Sequence, residues 1–568
     1  MTLTLQRLNT DPVHQVASEL DSVYEGSPWV VRDTLSARPF RSLAGFKYAL
    51  ADTVTSASRA AQLALVQTHA TPAWPSDWNT DDAARIKRLQ AAYLEKFGFP
   101  CVLALAGPRG TGLAPTEFIA THERRLRGHA GGELAECLRN LHRIAELRLN
   151  AAFDSQPSLG DQVWDWHEDL ARFSEPEAAA KGQLTVTYLT PAHRACKQSL
   201  SLTFRNCGFD EVHVDAVGNV VARYRAQTAN APALLTGSHF DTVRHGGKYA
   251  GRLGIFVPAM CVQQLARQGR RLPFAIELVA FADGEGQRYQ TSFLGSSALA
   301  GRFSYGWLAQ RDADRISMRD AMEHAGLIVD DIAGIARNPR HYLGFVEVHI
   351  EQGPLLNRLN APLGVVTSIS GGVRYLGAIE GVARHAGTTP MEQRRDAAAA
   401  AAELLLYVER HAAQTPHVVG TMGLLQVPGG SSSLVPGRCE FSLDLRAPSD
   451  GQRDPLAHDV LAELAAICQR RNLEYSIKET ARVNAAPSDP VWQQRWEEAV
   501  AAQGLPIQRL PSGAGHDAVK LHSLLPQAML FVRGQNEGIS HSPLESTTSD
   551  DMQLAVQTFA RLLEQLAL

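Results

Sequence analysis

Between residues 211 and 283, apolar runs of strand length alternate with helix-like segments. VHVDAVGNVVARY, ALLTGSHF and FAIELVAFAD are the strand-like runs, and GIFVPAMCVQQLARQ separates the last two. Apolar strands divided by helices predict a largely parallel α/β sheet, which places polar and reactive side chains where strands run into loops. The pattern breaks near residue 362. GVVTSISGGVRYLGAIEGVA and CEFSLDLRA have strand character and DAAAAAAELLLYVERHAAQ is an amphipathic helix, so a small α+β unit is expected before the α/β pattern resumes near 480.

Residues before about 150 read differently. ELAECLRNLHRIAELRLNAAF has 3.6-residue spacing, Ser27-Pro28-Trp29 reads as an N-cap followed by Pro, and Ser42 reads as a second cap. ATPAWPSDWN and AGPRGTG are expected loops, and DSQPSLGDQ an expected linker before the helix WDWHEDLARF. The fold class is therefore multidomain: an all-α N-terminal domain, then an α/β domain interrupted by an α+β insertion. The predicted bounds are 1–160, 175–361, 362–478 and 479–568.

With 55 Lys+Arg against 59 Asp+Glu in 568 residues, the net charge is −4, and no run of like charge stands out. That balance lacks the footprint of a nucleic-acid or anionic-membrane binder. There is no apolar run of membrane-spanning length, and MTLTLQRLNTDP has neither the basic nor the apolar region of a secretory signal. Seven scattered cysteines without a CxxC read as reduced thiols in a cytoplasmic protein.

Four residues stand at apparent strand-to-loop boundaries: His239 in GSHFDTVRHGG, Glu285 in FADGEGQRY, His349 in EVHIEQGP and His541 in NEGISHSPLE. Singly, each also reads as a loop residue or a packed histidine. Together, three imidazoles and a carboxylate suit a zinc-type site, and Asp241, two residues after His239, suits a carboxylate that orients a ligating imidazole.

From about 180 to 568 the chain resembles the zinc-dependent amidohydrolases that include allantoate amidohydrolase, N-carbamoyl-amino-acid hydrolases and β-ureidopropionase. The likeness is carried, in order, by VDAVGNVVARY, GSHFDTVRHGGKYAGRLG, FLGSSALAG, EVHIEQGP, GVARHAGTTPMEQRRDA, FSLDLRAPSD, PSGAGHDA and GISHSPLE. It implies hydrolysis of linear amide or ureido C–N bonds, a small ureide substrate, and one or two divalent cations per chain, zinc or manganese. It also implies a homodimer formed through residues 362–478. His239 and His349 resemble ligands of one metal, Glu285 and His541 ligands of the other, and Asp241 the carboxylate that orients His239. His385 in RHAGTTPM and Arg446 in LDLR resemble substrate-side groups, and Gln352 and His516 lie in matching segments.

This chain departs from that family at two positions. Ala250 stands where the family has the Asp that bridges two cations about 3.5–4 Å apart. Gly284 stands where it has the general-base Glu, a role worth roughly 10²–10⁴-fold. Asp283 and His245 are the neighbouring groups of similar chemistry, and Ser433 replaces a usual Asn. Two readings stand side by side: a working amidohydrolase, and a catalytically impaired relative that binds a ureide or serves as a scaffold.

Residues 8–155 resemble the ureidoimidazoline decarboxylases, through EGSPWVV, ARPFRSLAGF, LQAAYLEKFGFPCVLAL, HERRL and RIAELRLNAAF. The resemblance puts His69 at that family's catalytic His and Arg125 at a substrate-contacting Arg. The family's catalytic Glu, which follows the His, is missing from the short THATPAWPSDWNTDD. A fusion of the two fits ureide catabolism, with activity in both parts or in the N-terminal part alone.

Overall fold

A computed structural model describes residues 2–69, 80–105 and 115–568. The chain forms two compact units: Met1–Gly364 with Glu498–Pro506 and Leu530–Leu568, and Val365–Glu497 with Ile507–Met529.

The first unit opens with helices Leu5–Thr10, Val13–Glu19, Pro28–Thr34, Leu43–Thr55, Arg59–Thr68, Thr80–Phe97, Pro115–Arg125 and Ala130–Ala152. Their starts follow local capping chemistry. Ser42 Oγ accepts from Gly45 N at 3.0 Å and Ser58 Oγ from Ala61 N at 3.3 Å, each satisfying an orphan first-turn donor. Ser27 precedes Pro28 as expected but makes no capping bond; its Oγ lies 3.4 Å from Thr68 Oγ1 instead. Val16, Val30, Phe46, Leu50, Leu65, Val66, Tyr93, Leu141 and Leu149 close a core of their own. The expected loops at residues 70–79 and 106–112 lie outside the described residues.

The segment expected to be a linker is already partly helical. Ser158 and Asp161 form a capping box that starts helix Leu159–Ala171 inside it. This helix packs against the C-terminal helix Ser549–Ala567 closely enough that a Cβ on Gly160 would lie 2.0 Å from the Ser549 carbonyl oxygen. The helical segment is tied to the same region. Lys47 Nζ pairs with Asp550 Oδ2 at 2.8 Å, Ser549 Oγ donates to Glu146 Oε1 at 2.7 Å, and Tyr48 Oη donates to the Asn357 carbonyl at 2.8 Å.

Five strands of this unit, β1 (Glu211–Val214), β2 (Val220–Tyr224), β3 (Ala233–His239), β4 (Ala275–Phe281) and β5 (Tyr342–Ile350), lie in the order β1-β2-β4-β3-β5. β3 pairs in parallel with both β4 and β5, as the alternating pattern predicts. VHVDAVGNVVARY is a hairpin rather than one strand: β1 and β2 are antiparallel around Gly218, whose φ of +91° suits glycine. Every residue of β3 and β4 is buried, the signature of a sheet covered on both faces. The helix Leu253–Arg267 that follows β3 is almost wholly buried too.

The second unit centres on strand Gly371–Glu380. It pairs residue for residue with Arg438–Ala447 on one side and with Glu474–Val483, which carries a bulge, on the other. Helices Ala397–Ala412 and Asp450–Arg471 pack on this sheet through Leu404, Val408, Val460 and Leu464. Asp396 caps the alanine-rich helix by accepting from Ala399 N at 3.0 Å. The unit runs to Glu497 and takes in Ile507–Met529. All seven cysteines are buried and unpaired.

Candidate active site

β3 delivers His239 at its last residue, and the chain turns so that Asp241 points back at it. Asp241 Oδ1 lies 3.2 Å from His239 Nδ1 and accepts from Gly284 N at 2.8 Å, while Oδ2 accepts from Glu285 N at 3.0 Å. Burial alone would raise the Asp241 carboxyl. The His239 bond and the two amides more than offset it, so its pKa lies below the usual carboxylate value. One buried carboxylate thereby fixes the ring of His239 and the backbone that carries Glu285.

Glu285 Oε1 lies 3.3 Å from His541 Nε2 and 4.0 Å from His239 Nε2. The bond to Glu285 raises the His541 pKa. Gln352 approaches the same nitrogen at 3.1 Å and donates to Ser540 Oγ at 2.9 Å. His349, near the end of β5, is buried, and burial pushes its pKa down to about 3, so the ring is neutral. Its Nδ1 faces the Ile350 carbonyl at 2.9 Å, and its Nε2 accepts the Gly251 N–H at 2.8 Å. An imidazole nitrogen has a single in-plane lone pair, and here that pair is engaged by backbone.

The loop before helix Leu253–Arg267 is held by Glu545, which the sequence reading missed. Glu545 Oε1 accepts from both Tyr249 N and Ala250 N at 2.9 Å, and its Oε2 accepts from Ser540 Oγ at 2.7 Å. From the helix before the sheet, Glu168 Oε1 accepts the Tyr249 hydroxyl at 3.1 Å. Gly251 follows with φ +72°, and a Cβ there would lie 2.6 Å from His239 Nε2. A Cβ on Gly284 would lie 2.5 Å from His239 Cγ. The His239 ring thus packs against two glycines, Gly251 and Gly284. Asp283 is fully buried, its Oδ1 accepts from Gly286 N at 3.1 Å, and burial beside Asp241 holds its carboxyl well above the normal range. Its side chain is enclosed behind Asp241. His245 is exposed at φ +56°.

Among the described residues, no group of three or more His, Cys, Asp or Glu side chains is drawn together as a complete metal-ligand set. The donor types of Glu285, His541 and His239 nevertheless suit a divalent cation. Two ligands about 2.1 Å from one ion sit roughly 3.4 Å apart at a tetrahedral angle, close to the Glu285–His541 separation. Position 250 carries a methyl group, which cannot ligate, and His349 Nε2 accepts from Gly251 N.

Within the second unit, His385 is exposed and its Nδ1 accepts from Gly387 N at 3.1 Å. The guanidinium of Arg446 grips Asp444 through two nitrogens, at 2.8 and 3.0 Å, and donates to the Gly513 carbonyl at 3.0 Å. His516 is buried, with Nε2 2.7 Å from Ser512 Oγ, and Ser433 is exposed beside Ser431.

In the helical segment, His69 is buried at the C-terminal end of helix Arg59–Thr68. Arg125 is wholly buried. It donates to Glu133 Oε2 at 2.9 Å, the Val102 carbonyl at 2.6 Å, Tyr93 Oη at 3.1 Å and Cys137 Sγ at 3.0 Å, which places it in the helical core.

The profile of peptidase family M20/M25/M40 matches residues 235–565, and that of OHCU decarboxylase matches residues 73–150. The chain is 36% identical over 408 residues to an N-carbamoyl-L-amino acid amidohydrolase of Geobacillus stearothermophilus, covering 72% of this chain and 98% of the relative. It is 35% identical over 443 residues to an allantoate deiminase of Arabidopsis thaliana, covering 72% and 83%. A solved amidase of the hydantoinase/carbamoylase family from Burkholderia multivorans superposes with a TM-score of 0.67 at 28% identity, over 72% of this chain and 98% of that one. With a profile match over more than half its length and relatives matched almost end to end, the chain belongs to peptidase family M20/M25/M40, and its helical N-terminal region carries an OHCU decarboxylase match.

Proposed function

We propose that the α/β part hydrolyses a linear ureido or amide C–N bond of a small ureide, allantoate or an N-carbamoyl amino acid. The helical part is proposed to act as a ureidoimidazoline decarboxylase in the same ureide catabolism. The observation that carries the hydrolase reading is the Glu285 carboxylate at 3.3 and 4.0 Å from the imidazoles of His541 and His239.

The family is generally dependent on divalent metal, and in this reading zinc or manganese is held by Glu285, His541 and His239, with His349 beside them. Bound there, the ion supplies Lewis acidity toward the scissile carbonyl. Asp241 holds the His239 ring, and Gln352 orients His541. Arg446 is proposed to meet a substrate carboxylate and His385 a developing oxyanion, with His516 shaping that side. In the helical part, His69 is the proposed catalytic group, and Arg125, expected from the resemblance to contact substrate, instead secures the helical core.

A homodimer through residues 362–478 is part of the reading. It is supported by the mostly exposed strand Glu474–Val483, which leaves Tyr475 and Val483 in solvent. A cytoplasmic location accords with seven buried, unpaired cysteines. No described helix is long and apolar enough to cross a membrane.

The test is ammonia release from allantoate and from N-carbamoyl amino acids by the full-length protein, loaded with zinc or with manganese. Turnover that falls on Glu285→Gln supports the hydrolase. No release from either substrate class with either metal overturns it.

A further inference from the structure

The sequence has no glutamate between His69 and Asn79, where the decarboxylase resemblance calls for one. The fold brings a carboxylate to His69 from the other direction. Glu25 Oε2 lies 3.7 Å from His69 Nδ1. The His69 side chain is 6% exposed, and its Nδ1 has no hydrogen-bond partner among the described residues. The Glu25 side chain is 37% exposed.

Glu25 is held where it is. Arg148 Nη2 pairs with Glu25 Oε1, and Arg148 Nη1 donates to the Ser22 carbonyl at 2.6 Å and to the Val23 carbonyl at 3.3 Å. Gly26 adopts φ +66°, and a Cβ there would meet Thr68 Cβ at 3.2 Å. The turn after Glu25 therefore folds directly onto the helix end that precedes His69. Two charged side chains act on the ring: Glu25 favours its protonated form and Arg148 opposes it, while burial, the largest effect, lowers its pKa.

We propose that Glu25 is the positioning residue of the His69 site, holding Nδ1–H toward its carboxylate so that Nε2 faces the substrate, with Arg148 fixing Glu25 in turn. The proposal rests on the decarboxylase half of the function above. A carboxylate that locks an imidazole tautomer in this way needs no place in the sequence near the histidine. The 3.7 Å separation is in the range that shortens when substrate closes a site.

The test uses full-length protein with isotope-labelled histidine, His69→Gln identifying the signal. Glu25→Gln is expected to lower the His69 titration midpoint by about 1 pH unit, and Glu25→Asp to retain most of it. A midpoint that moves by less than about 0.2 unit in folded Glu25→Gln protein overturns the pairing. A second arm follows the absorbance decay of freshly generated ureidoimidazoline. Glu25→Gln should lower kcat at least about tenfold with little change in KM, and Glu25→Asp should restore part of it. Full activity in Glu25→Gln overturns the role. If the wild type gives no acceleration at all, the decarboxylase assignment fails, while the titration arm still decides whether Glu25 and His69 act as a pair.

Discussion

Replacing Glu545 with alanine should release the loop that carries Ala250. The side chain is 2% exposed, and its carboxylate is the acceptor for two buried amides, Tyr249 N and Ala250 N, and for the Ser540 hydroxyl. Leaving a buried donor unpaired costs about 1–3 kcal/mol, so the two amides together predict a loss of roughly 2–6 kcal/mol in Glu545→Ala. Glu545→Gln keeps an oxygen that can still accept and loses only the charge assistance, so its expected cost is about 1–2 kcal/mol. Urea denaturation gives the stabilities. Hydrogen exchange of a peptide spanning residues 246–252 shows where the change lands, with faster exchange expected at Tyr249, Ala250 and Gly251. A Glu545→Ala protein within about 0.5 kcal/mol of wild type with unchanged exchange there, or Gln as the worse substitution, would exclude this carboxylate as the clamp on the loop.

At position 284 even a methyl group should be costly. Gly284→Ala places a Cβ 2.5 Å from His239 Cγ, and overpacking of this kind typically costs about 1–3 kcal/mol, which a thermal melt resolves. Gly284→Glu should therefore displace His239 as it restores the carboxylate, visible as a changed His239 ring signal in NMR. Ser158→Ala removes the acceptor for Asp161 N and should cost about 1 kcal/mol in denaturant, with no change in metal affinity. Burial tends to raise the Glu136 pKa, but Arg125, Arg124 and Arg139 pull it down to about 2, below its ordinary value of 4.5. Its contribution, about 3 kcal/mol, is thus complete above the ordinary value and lost as pH falls from there toward 2. Urea midpoints taken down this range should fall for wild type and flatten for Glu136→Gln.

The parts of this protein that were legible in its sequence are those whose signal is local. β3, β4 and β5 are largely apolar runs with His239 and His349 at or next to their ends and Glu285 in the loop after β4, so these residues could be picked out before any contact was known. Ser42 announced its helix in the same way. The hairpin at 211–224 was harder to read because an apolar run does not say whether it turns back on itself. The helix start at Ser158 was hidden by the turn-forming composition of the linker around it. Glu545 and Glu25 lay beyond reach for a different reason. Glu545 binds backbone amides 295 and 296 residues away, and Glu25 meets a histidine 44 residues later. Such partnerships leave no periodicity and no composition to read.

The resemblance to the amidohydrolase motifs implies carboxylates at positions 250 and 284, where this chain has Ala and Gly. At 284 the His239 ring lies against the glycine, and at 250–251 the backbone supplies donors in place of an acceptor, to Glu545 from Ala250 and to His349 from Gly251. These replacements depend on one another. Tyr249 N and Ala250 N can both reach one oxygen of Glu545 only while the loop lies flat against it, and the same placement brings Gly251 N to His349 and leaves room there for nothing larger than glycine beside His239. Restoring Asp at 250 alone should therefore leave His349 Nε2 engaged by Gly251, so Ala250→Asp is expected to raise metal stoichiometry only when Glu545 is weakened as well. Elemental analysis of Ala250→Asp and of Ala250→Asp with Glu545→Gln separates the cases. Two tightly held cations in the single variant would show that the side chain at 250, and not the backbone clamp on its loop, sets the capacity of the site.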